Sequence, residues 1–152
     1  MSRVDAVQNV PPARLLQRRR QPHRWTVATA AVVAAIAHVP VIGPHLDEAP
    51  YMGFAFIALT VACLCVAGAL SIRDSTACYA AAALTCGPAV LGYAATRLVA
   101  FPMLADDVGN WLEPLGVVSV ISEAVVVVAA LSALRTRRRP ATRPAPVAGQ
   151  PA

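Results

Sequence analysis

A single carboxylate interrupts the long apolar segment near the end of the sequence. Glu123 lies within Leu115–Leu134, a run that contains no other charged residue. An ionisable side chain inside a membrane helix is costly, and it typically belongs to an ion or proton pathway or to a binding site. A protonated Glu can also act as structural glue by hydrogen bonding to a hydroxyl group, here that of Ser119 one turn earlier. The functional and the structural interpretation of Glu123 both stay open.

Three more polar side chains lie within, or at the edge of, the other apolar segments, as Glu123 does in the last one. At helical spacing His38, Tyr93 and Arg97 lie on stripes of small residues, which mark close packing of helices in lipid. A charge that faced lipid instead would be strongly unfavourable. We therefore predict an intramembrane polar cluster of His38, Tyr93, Arg97, Ser119 and Glu123, which faces the interior of a helix bundle and opens only toward the outer side.

Arg97 is the only cation in the half of the protein that we expect to lie outside the cell. Its side chain could approach Glu123, either directly or through His38 or water. The alternative is that the long side chain extends to the interface and pairs with Asp106, Asp107 or Glu113. The depth of Arg97 in its helix favours this alternative.

A second group of polar and aromatic residues lies in and beside the two segments predicted to be outside. Nitrogen and oxygen ligands of this kind can hold zinc or another divalent ion, so a metal site stays open. Acidic residues at helix N-termini explain most of the group equally well, and no cofactor is predicted. This candidate outer-loop cluster comprises His45, Asp47, Glu48, Tyr51, Asp106, Asp107, Trp111 and Glu113.

The elements that must position these residues are four apolar helices. The 152-residue chain has 57% hydrophobic and 14% charged residues, whereas about 25% of residues are charged in an average soluble domain. Runs of ~20 apolar residues match a hydrocarbon core ~30 Å thick. We predict an all-α bundle of four transmembrane helices, at about 25–42, 49–72, 77–101 and 111–134. The flanking segments 1–24 and 135–152 are predicted to be cytoplasmic, Arg-rich and disordered tails.

The distribution of arginine predicts the orientation of these helices. All thirteen basic residues are Arg; six precede the first apolar run and five follow the last. The two connections predicted to be outside are acidic instead, which is the positive-inside pattern of a multi-pass cytoplasmic-membrane protein with both termini in the cytoplasm. The basic flanks lack interleaved aromatic residues, so they indicate contact with anionic lipid and no nucleic acid. Ala35-Ile-Ala37 resembles a signal-peptide cleavage site, but the apolar run continues through Ile42, which favours an uncleaved helix.

Local signals predict where the helices begin, bend and end. Asp47 and Asn110 are the predicted N-caps of the second and fourth helices, and Arg73-Asp-Ser-Thr76 is a predicted tight inner turn. Pro88 removes a backbone donor within the third helix and predicts a bend there. Arg135–Arg139 is predicted to end the fourth helix.

The four cysteines are predicted to be packing residues and not a redox site. Cys63, Cys65, Cys78 and Cys86 lie in or near the inner halves of the second and third helices. They are therefore away from the outer loops, where an oxidising compartment would pair them. Buried free cysteine behaves as a small apolar side chain.

Two segments, His38–Gly53 and Arg97–Ser119, carry a resemblance to known sequences. They resemble a family of small, uncharacterised four-helix integral membrane proteins of high-GC bacteria. The resemblance covers about residues 25–134. It implies a topology, and it implies no activity and no site residue.

Two classes of function follow from these patterns. The preferred class is a non-catalytic membrane protein (a subunit, a partner or a sensor) with its polar site on the extracytoplasmic side. It would sit in the lipid bilayer and pair with another membrane protein or a second copy of itself. The alternative is a small transporter, or a protein that handles metal ions or protons with Glu123, Arg97 and His38. An enzyme is the least favoured class, because the sequence has no phosphate loop and no nucleophile–base pair, and no catalytic residue is predicted.

Overall fold

The computed structural model describes residues 21–138 of the chain, and side chains from residue 23 onward. This part is all-helical. Four long helices are joined by turns and one short 3₁₀ segment at Ala105–Asp107: α1 Gln21–Glu48, α2 Pro50–Ile72, α3 Thr76–Leu98 and α4 Pro114–Arg138. All four are long and apolar enough to cross a membrane, so the predicted all-α fold with four such helices is confirmed. Most of the two predicted tails lies outside the described residues.

The helices run alternately up and down, so each end of the bundle collects two helix starts and two helix ends. At one end Arg24 donates to the carbonyl of Ser71, and Arg137 pairs with Asp74. We call this the basic end, and it carries Arg24, Arg73, Arg135, Arg137 and Arg138. The opposite end, which we call the acidic end, carries Asp47, Glu48, Asp106, Asp107 and Glu113.

Most buried side chains of the bundle are small, with Leu70 and Tyr79 as the largest apolar exceptions, and many large apolar side chains face outward. Alanines such as Ala31, Ala34 and Ala130 are fully buried, whereas Phe54 is 65% and Leu91 is 71% exposed. A soluble protein rarely leaves such apolar surface in water, but small residues inside and large ones outside suit helices packed in lipid. Each of α1 and α3 packs against both α2 and α4, and the contact between α2 and α3 is the loosest of these.

The connection between α1 and α2 differs from the prediction. Residues 43–48, expected to be a loop, continue α1, and Ala49 alone separates the two helices. Asp47 is therefore not an N-cap; the cap position of α2 is Ala49, without a side-chain hydrogen bond. Gly53 explains why α1 extends through residues 43–48, because its missing side chain lets α1 and α2 come into contact. A Cβ atom at Gly53 would lie 2.6–2.8 Å from atoms of Leu46. Close packing of this kind outweighs the local helix-breaking signals of glycine and proline.

The start of α4 also differs from the prediction. Asn110 is not its cap, because α4 begins at Pro114 and Glu113 accepts hydrogen bonds from the amides of Leu115 at 3.1 Å and Gly116 at 2.5 Å. Proline suits the first helical position, since it lacks an amide hydrogen that would have no partner there.

At its C-terminal end α4 continues through the predicted stop to Arg138. Cations in a last helical turn interact favourably with the helix dipole.

α3 begins at the predicted inner turn and ends earlier than expected. Ser75 precedes its first turn and accepts a hydrogen bond from the amide of Cys78 at 3.2 Å. The helix continues through Pro88 and ends at Leu98; the bend at Pro88 stays a prediction. Residues 99–113 then form an irregular connection in which Met103 and Gly109 adopt left-handed backbone angles, with φ of 62° and 79°.

Candidate functional site

Glu123 is paired with a histidine of another helix. Its Oε1 atom lies 2.9 Å from Nε2 of His38, which joins α4 to α1. Glu123 is 2% and His38 4% exposed, so this contact is almost completely shielded. Glu123 lies nine residues into α4, which is ~14 Å from the start of the helix at the usual rise. The pair is therefore near the middle of the bundle.

Ser119 completes this group, one turn before Glu123 on α4. Its Oγ atom lies 3.2 Å from Nε2 and 3.4 Å from Nδ1 of His38. In a nucleophilic triad the imidazole uses one nitrogen for the serine and the other for the acid. Here the shorter contacts of both Ser119 and Glu123 are made with the same nitrogen, so the three side chains do not have the arrangement of such a triad. We call this group of His38, Ser119 and Glu123 the central polar cluster.

The chemistry of the central polar cluster is that of a shared proton. Either a protonated Glu123 donates to neutral His38, or a protonated His38 donates to the carboxylate. Both arrangements have no net charge, which lowers the cost of placing two ionisable groups at this depth. Gain or loss of one proton would leave an uncompensated charge in the same place. The pair can therefore respond to protons, or to a ligand that supplies a hydrogen bond.

Phe56 of α2 holds the histidines of α1 in place. Its ring stacks on His38 with centroids 5.3 Å apart, and His45 meets it edge-on at 4.9 Å. His45 also makes a 2.8 Å hydrogen bond from Nδ1 to the carbonyl of Val41. Two turns separate the histidines along α1, so one aromatic ring can contact both. This role of Phe56 was not predicted from the sequence, although the spacing of the two histidines was visible there.

Arg97 belongs to a separate group near the acidic end. Its guanidinium lies 2.5 Å from the carboxylate and 3.1 Å from the carbonyl of Asp107, and 4.7 Å from the centre of the Tyr93 ring. Tyr93 donates to the carbonyl of Trp111 at 2.8 Å. Among the described residues Arg97 has no bond to Glu123 or His38. The five residues predicted as one cluster thus form two groups, and Arg97 pairs with an acid of the α3–α4 connection.

The residues of the candidate outer-loop cluster do not converge on one point. Tyr51 donates to the carbonyl of Pro102 at 2.7 Å, Trp111 packs edge-on against Tyr93 at 6.4 Å, and Glu113 caps α4. Asp47, Glu48 and Asp106 are exposed. Within residues 23–138 no group of three or more His, Cys, Asp or Glu side chains is arranged to hold a metal ion.

A cavity of about 720 Å³ connects the two polar groups. Residues of all four helices line it, and it separates α2 from α3, which accounts for the loose contact of these two helices. His38, Ser119 and Glu123 are on its wall, and Arg97 and Asp107 line it closer to the acidic end. Most of the remaining wall is apolar and made of small residues, including Ala55, Ala58, Ala62, Ala89 and Gly92. Binding sites for small molecules have this size and this mixture of apolar wall and few polar groups.

No family model, curated protein or solved structure matches the chain. Function must therefore be inferred from the geometry of the cavity and its polar groups. A fold alone would not identify it, because one helical bundle can serve many activities.

The cysteines form one contact that the sequence did not predict. Cys63 of α2 and Cys86 of α3 are both buried, with their sulfur atoms 3.9 Å apart. Cys65 is exposed, and Cys78 accepts a hydrogen bond from the hydroxyl of Ser75 at 3.1 Å. Spacing along one helix gives the direction of a side chain on that helix only, so a pair formed between two helices left no signal in the sequence.

Proposed function

We propose that this chain is a non-catalytic binding protein or sensor of the cytoplasmic membrane. It takes up a small, mainly apolar molecule in the cavity between α2 and α3. The polar end of that molecule hydrogen-bonds to the central polar cluster. In this proposal both termini are cytoplasmic, and the acidic end with the outer part of the cavity is extracytoplasmic.

The four apolar helices and the separation of charge between the two ends support this orientation. Arg24, Arg73 and Arg137 are at the basic end, and the arginines of both flanks continue from it. Arginine accumulates on the cytoplasmic side of membrane helices. Asp106 and Asp107 are at the opposite end, where Arg97 is the only arginine among residues 21–138. Its pairing with Asp107 neutralises that one cation.

The observation that carries the binding proposal is the position of Glu123 and Ser119 on the wall of an apolar cavity. The bond to His38 uses one carboxylate oxygen of Glu123. The second oxygen can bond to a hydroxyl, amide or amine of a ligand, and the Ser119 hydroxyl can make one bond to a ligand besides its contact with His38. The small residues along α2 and α3 leave room for an apolar body. A buried polar site that recognises one hydrogen-bonding group also rejects molecules that lack it.

Photolabelling tests this proposal directly. The purified full chain in detergent would be irradiated with a diazirine-bearing fatty alcohol, whose hydroxyl is its single polar group. We expect labelled peptides from the facing sides of α2 and α3. The variant Gly92→Leu should abolish this labelling, because Gly92 lines the cavity and a side chain added there meets open space.

Gly68→Leu is the matched control for this experiment. A side chain at Gly68 also meets open space, but this residue does not line the cavity. The control should keep wild-type labelling. Equal labelling of wild type, Gly92→Leu and Gly68→Leu would mean that the probe binds the lipid-facing surface, and the cavity proposal would fail.

Proton handling is the second candidate function, and the 2.9 Å pair of His38 and Glu123 favours it. A pair that shares one proton near mid-membrane can exchange protons with the acidic end through the cavity. Vesicles that contain the protein and a trapped pH-sensitive dye would show acidification after an external pH step. Glu123→Gln should then abolish the protein-dependent part of the signal. No difference from protein-free vesicles would exclude this candidate.

A further inference from the structure

The two buried thiols between α2 and α3 form a pair whose position relates to the cavity. Cys63 is 0% and Cys86 1% exposed, and their sulfur atoms are 3.9 Å apart. Ala62 and Thr85 line the cavity, and each directly precedes one of these cysteines. The thiol pair therefore lies at the inner limit of the cavity, which we call its floor. It is also the one sulfur–sulfur contact among the described residues.

We propose that Cys63 and Cys86 are a redox-sensitive pair that forms a reversible disulfide across the floor of the cavity. This inference does not depend on the identity of any cavity ligand. The sulfur–sulfur bond of a disulfide is about 2.05 Å long, so the two atoms must approach by about 1.9 Å. Rotation of the two side chains, with a small movement of helices that contact each other only loosely, can supply this approach.

Hydrogen peroxide is the class of oxidant that fits this position. We expect so small a molecule to reach the thiols from the cavity wall at Ala62 and Thr85, whereas bulky reagents are kept out because the thiols are 0% and 1% exposed. Attack of one thiolate on peroxide breaks the O–O bond, gives a sulfenic acid on that cysteine and releases hydroxide, which becomes water. The second thiol then attacks the sulfenic sulfur, the S–S bond forms and a second water leaves. In total two thiols and one peroxide give one disulfide and two waters, and a small dithiol reverses the change by exchange.

A disulfide at this place would have a mechanical consequence. α2 and α3 are sequential helices, and their separation sets the width of the cavity. A bond at the floor would fix that separation at the middle of both helices. The reduced pair leaves it free to vary. Both thiols are buried inside the bundle, so the bond would form only when a small oxidant enters the cavity.

The test uses the full chain in detergent, treated with hydrogen peroxide and then denatured in the presence of N-ethylmaleimide. Digestion and mass spectrometry should show a peptide pair joined through Cys63 and Cys86, which dithiothreitol separates. Of the four thiols, only two should still react with the maleimide, because the other two are joined in the disulfide. The folded, untreated protein should react with the same reagent at the exposed Cys65 and not at the buried pair.

Serine variants supply the controls. Cys63→Ser should leave Cys86 free after peroxide, and Cys86→Ser should leave Cys63 free. The double variant Cys65→Ser, Cys78→Ser should still lose two thiols, because neither residue takes part. The proposal is overturned if Cys63 and Cys86 of the wild type stay free, if they are oxidised without being joined, or if they join Cys65 or Cys78. None of these outcomes depends on photolabelling of the cavity, so the two proposals fail separately.

Discussion

His38 on α1 and Glu123 on α4 are joined by a 2.9 Å contact between a ring nitrogen and a carboxylate oxygen, and both side chains are buried. The contact connects two neighbouring helices in the buried interior of the bundle, beside the cavity. A pair of this kind holds the bundle together only while both members are present. Removal of one leaves the other as an unsatisfied polar group in an apolar interior.

Glu123→Leu should therefore destabilise the bundle by about 3 kcal/mol, because buried His38 loses its acidic partner and keeps only the longer contact with Ser119. Glu123→Gln should cost less than about 1 kcal/mol, since the amide can still hydrogen-bond to the ring. Unfolding of the detergent-solubilised variants, followed by circular dichroism, measures both. The double variant His38→Phe, Glu123→Leu should recover part of the loss. Equal stability of Glu123→Leu and wild type would show that the pair contributes nothing.

Gly53→Ala tests the close approach of α1 and α2. The added Cβ atom would lie 2.8 Å from the backbone nitrogen of Leu46, which cannot move aside as a flexible side chain can. We expect a loss of stability of about 1–3 kcal/mol, the usual cost of overpacking. Gly43→Ala is the matched control, because nothing lies within 4 Å of its added atom. The control should be neutral or stabilising, since alanine favours helix more than glycine does.

The sequence was sufficient to predict the number of helices and the burial of the most costly residues. Runs of ~20 apolar residues leave few alternatives to a membrane helix. Small-residue stripes placed His38, Arg97 and Glu123 toward the interior, and all three are buried. These properties depend on neighbours within one helix, and the order of residues contains that information.

The partners and the helix ends were harder to predict. A stripe gives the direction of a side chain but not the rotation or height of the neighbouring helix, so Ser119, Arg97 and a bridging His38 all stayed open as partners of Glu123. Gly43 and Pro44 are breaker signals, yet α1 continues through them to Glu48. Packing against α2 at Gly53 decides this, and such contact between helices has no local signature.

Asp107→Asn tests the anchoring of the α3–α4 connection. Arg97 is only 7% exposed, and it bonds to both the carboxylate and the carbonyl of Asp107. The amide removes the charge attraction and leaves a buried cation less compensated, so we expect a loss of about 1–2 kcal/mol. Limited proteolysis should cut residues 99–113 faster in this variant. Asp106→Asn is the control, because Asp106 is exposed. Proteolysis should cut residues 99–113 of this variant at the wild-type rate.

Cysteine labelling tests the proposed orientation. In a background with all four native cysteines replaced by serine, Ala105→Cys should react from outside intact cells with a membrane-impermeant maleimide. Ala105 lies in the 3₁₀ segment at the acidic end. Ala141→Cys, in the segment beyond the described residues, should react only after the membrane is opened. Labelling of Ala141→Cys from outside intact cells would contradict the proposed cytoplasmic location of the C-terminus.

Pro88 provides the last prediction, a bend in α3 on the wall of the cavity. Its ring crowds the carbonyl of Leu84, and it has no amide hydrogen to donate to that carbonyl. Helix bends of more than about 20° occur mostly at proline and a few other features, and Leu98 lies ten residues further along the helix. A bend of that size displaces Leu98 by about 5 Å at the usual helical rise. Pro88→Ala restores the hydrogen bond, so α3 should straighten.

Spin labels at Leu98 and Phe54, both exposed, would report this movement as a change of a few ångström in their distance by pulsed electron paramagnetic resonance. Labels at Ile72 and Leu84, also exposed, are the control pair, because both precede Pro88 and their distance should stay the same. If the distance between Leu98 and Phe54 is also unchanged, α3 is already straight at Pro88. The width of the cavity near Tyr93 would then not depend on a proline bend.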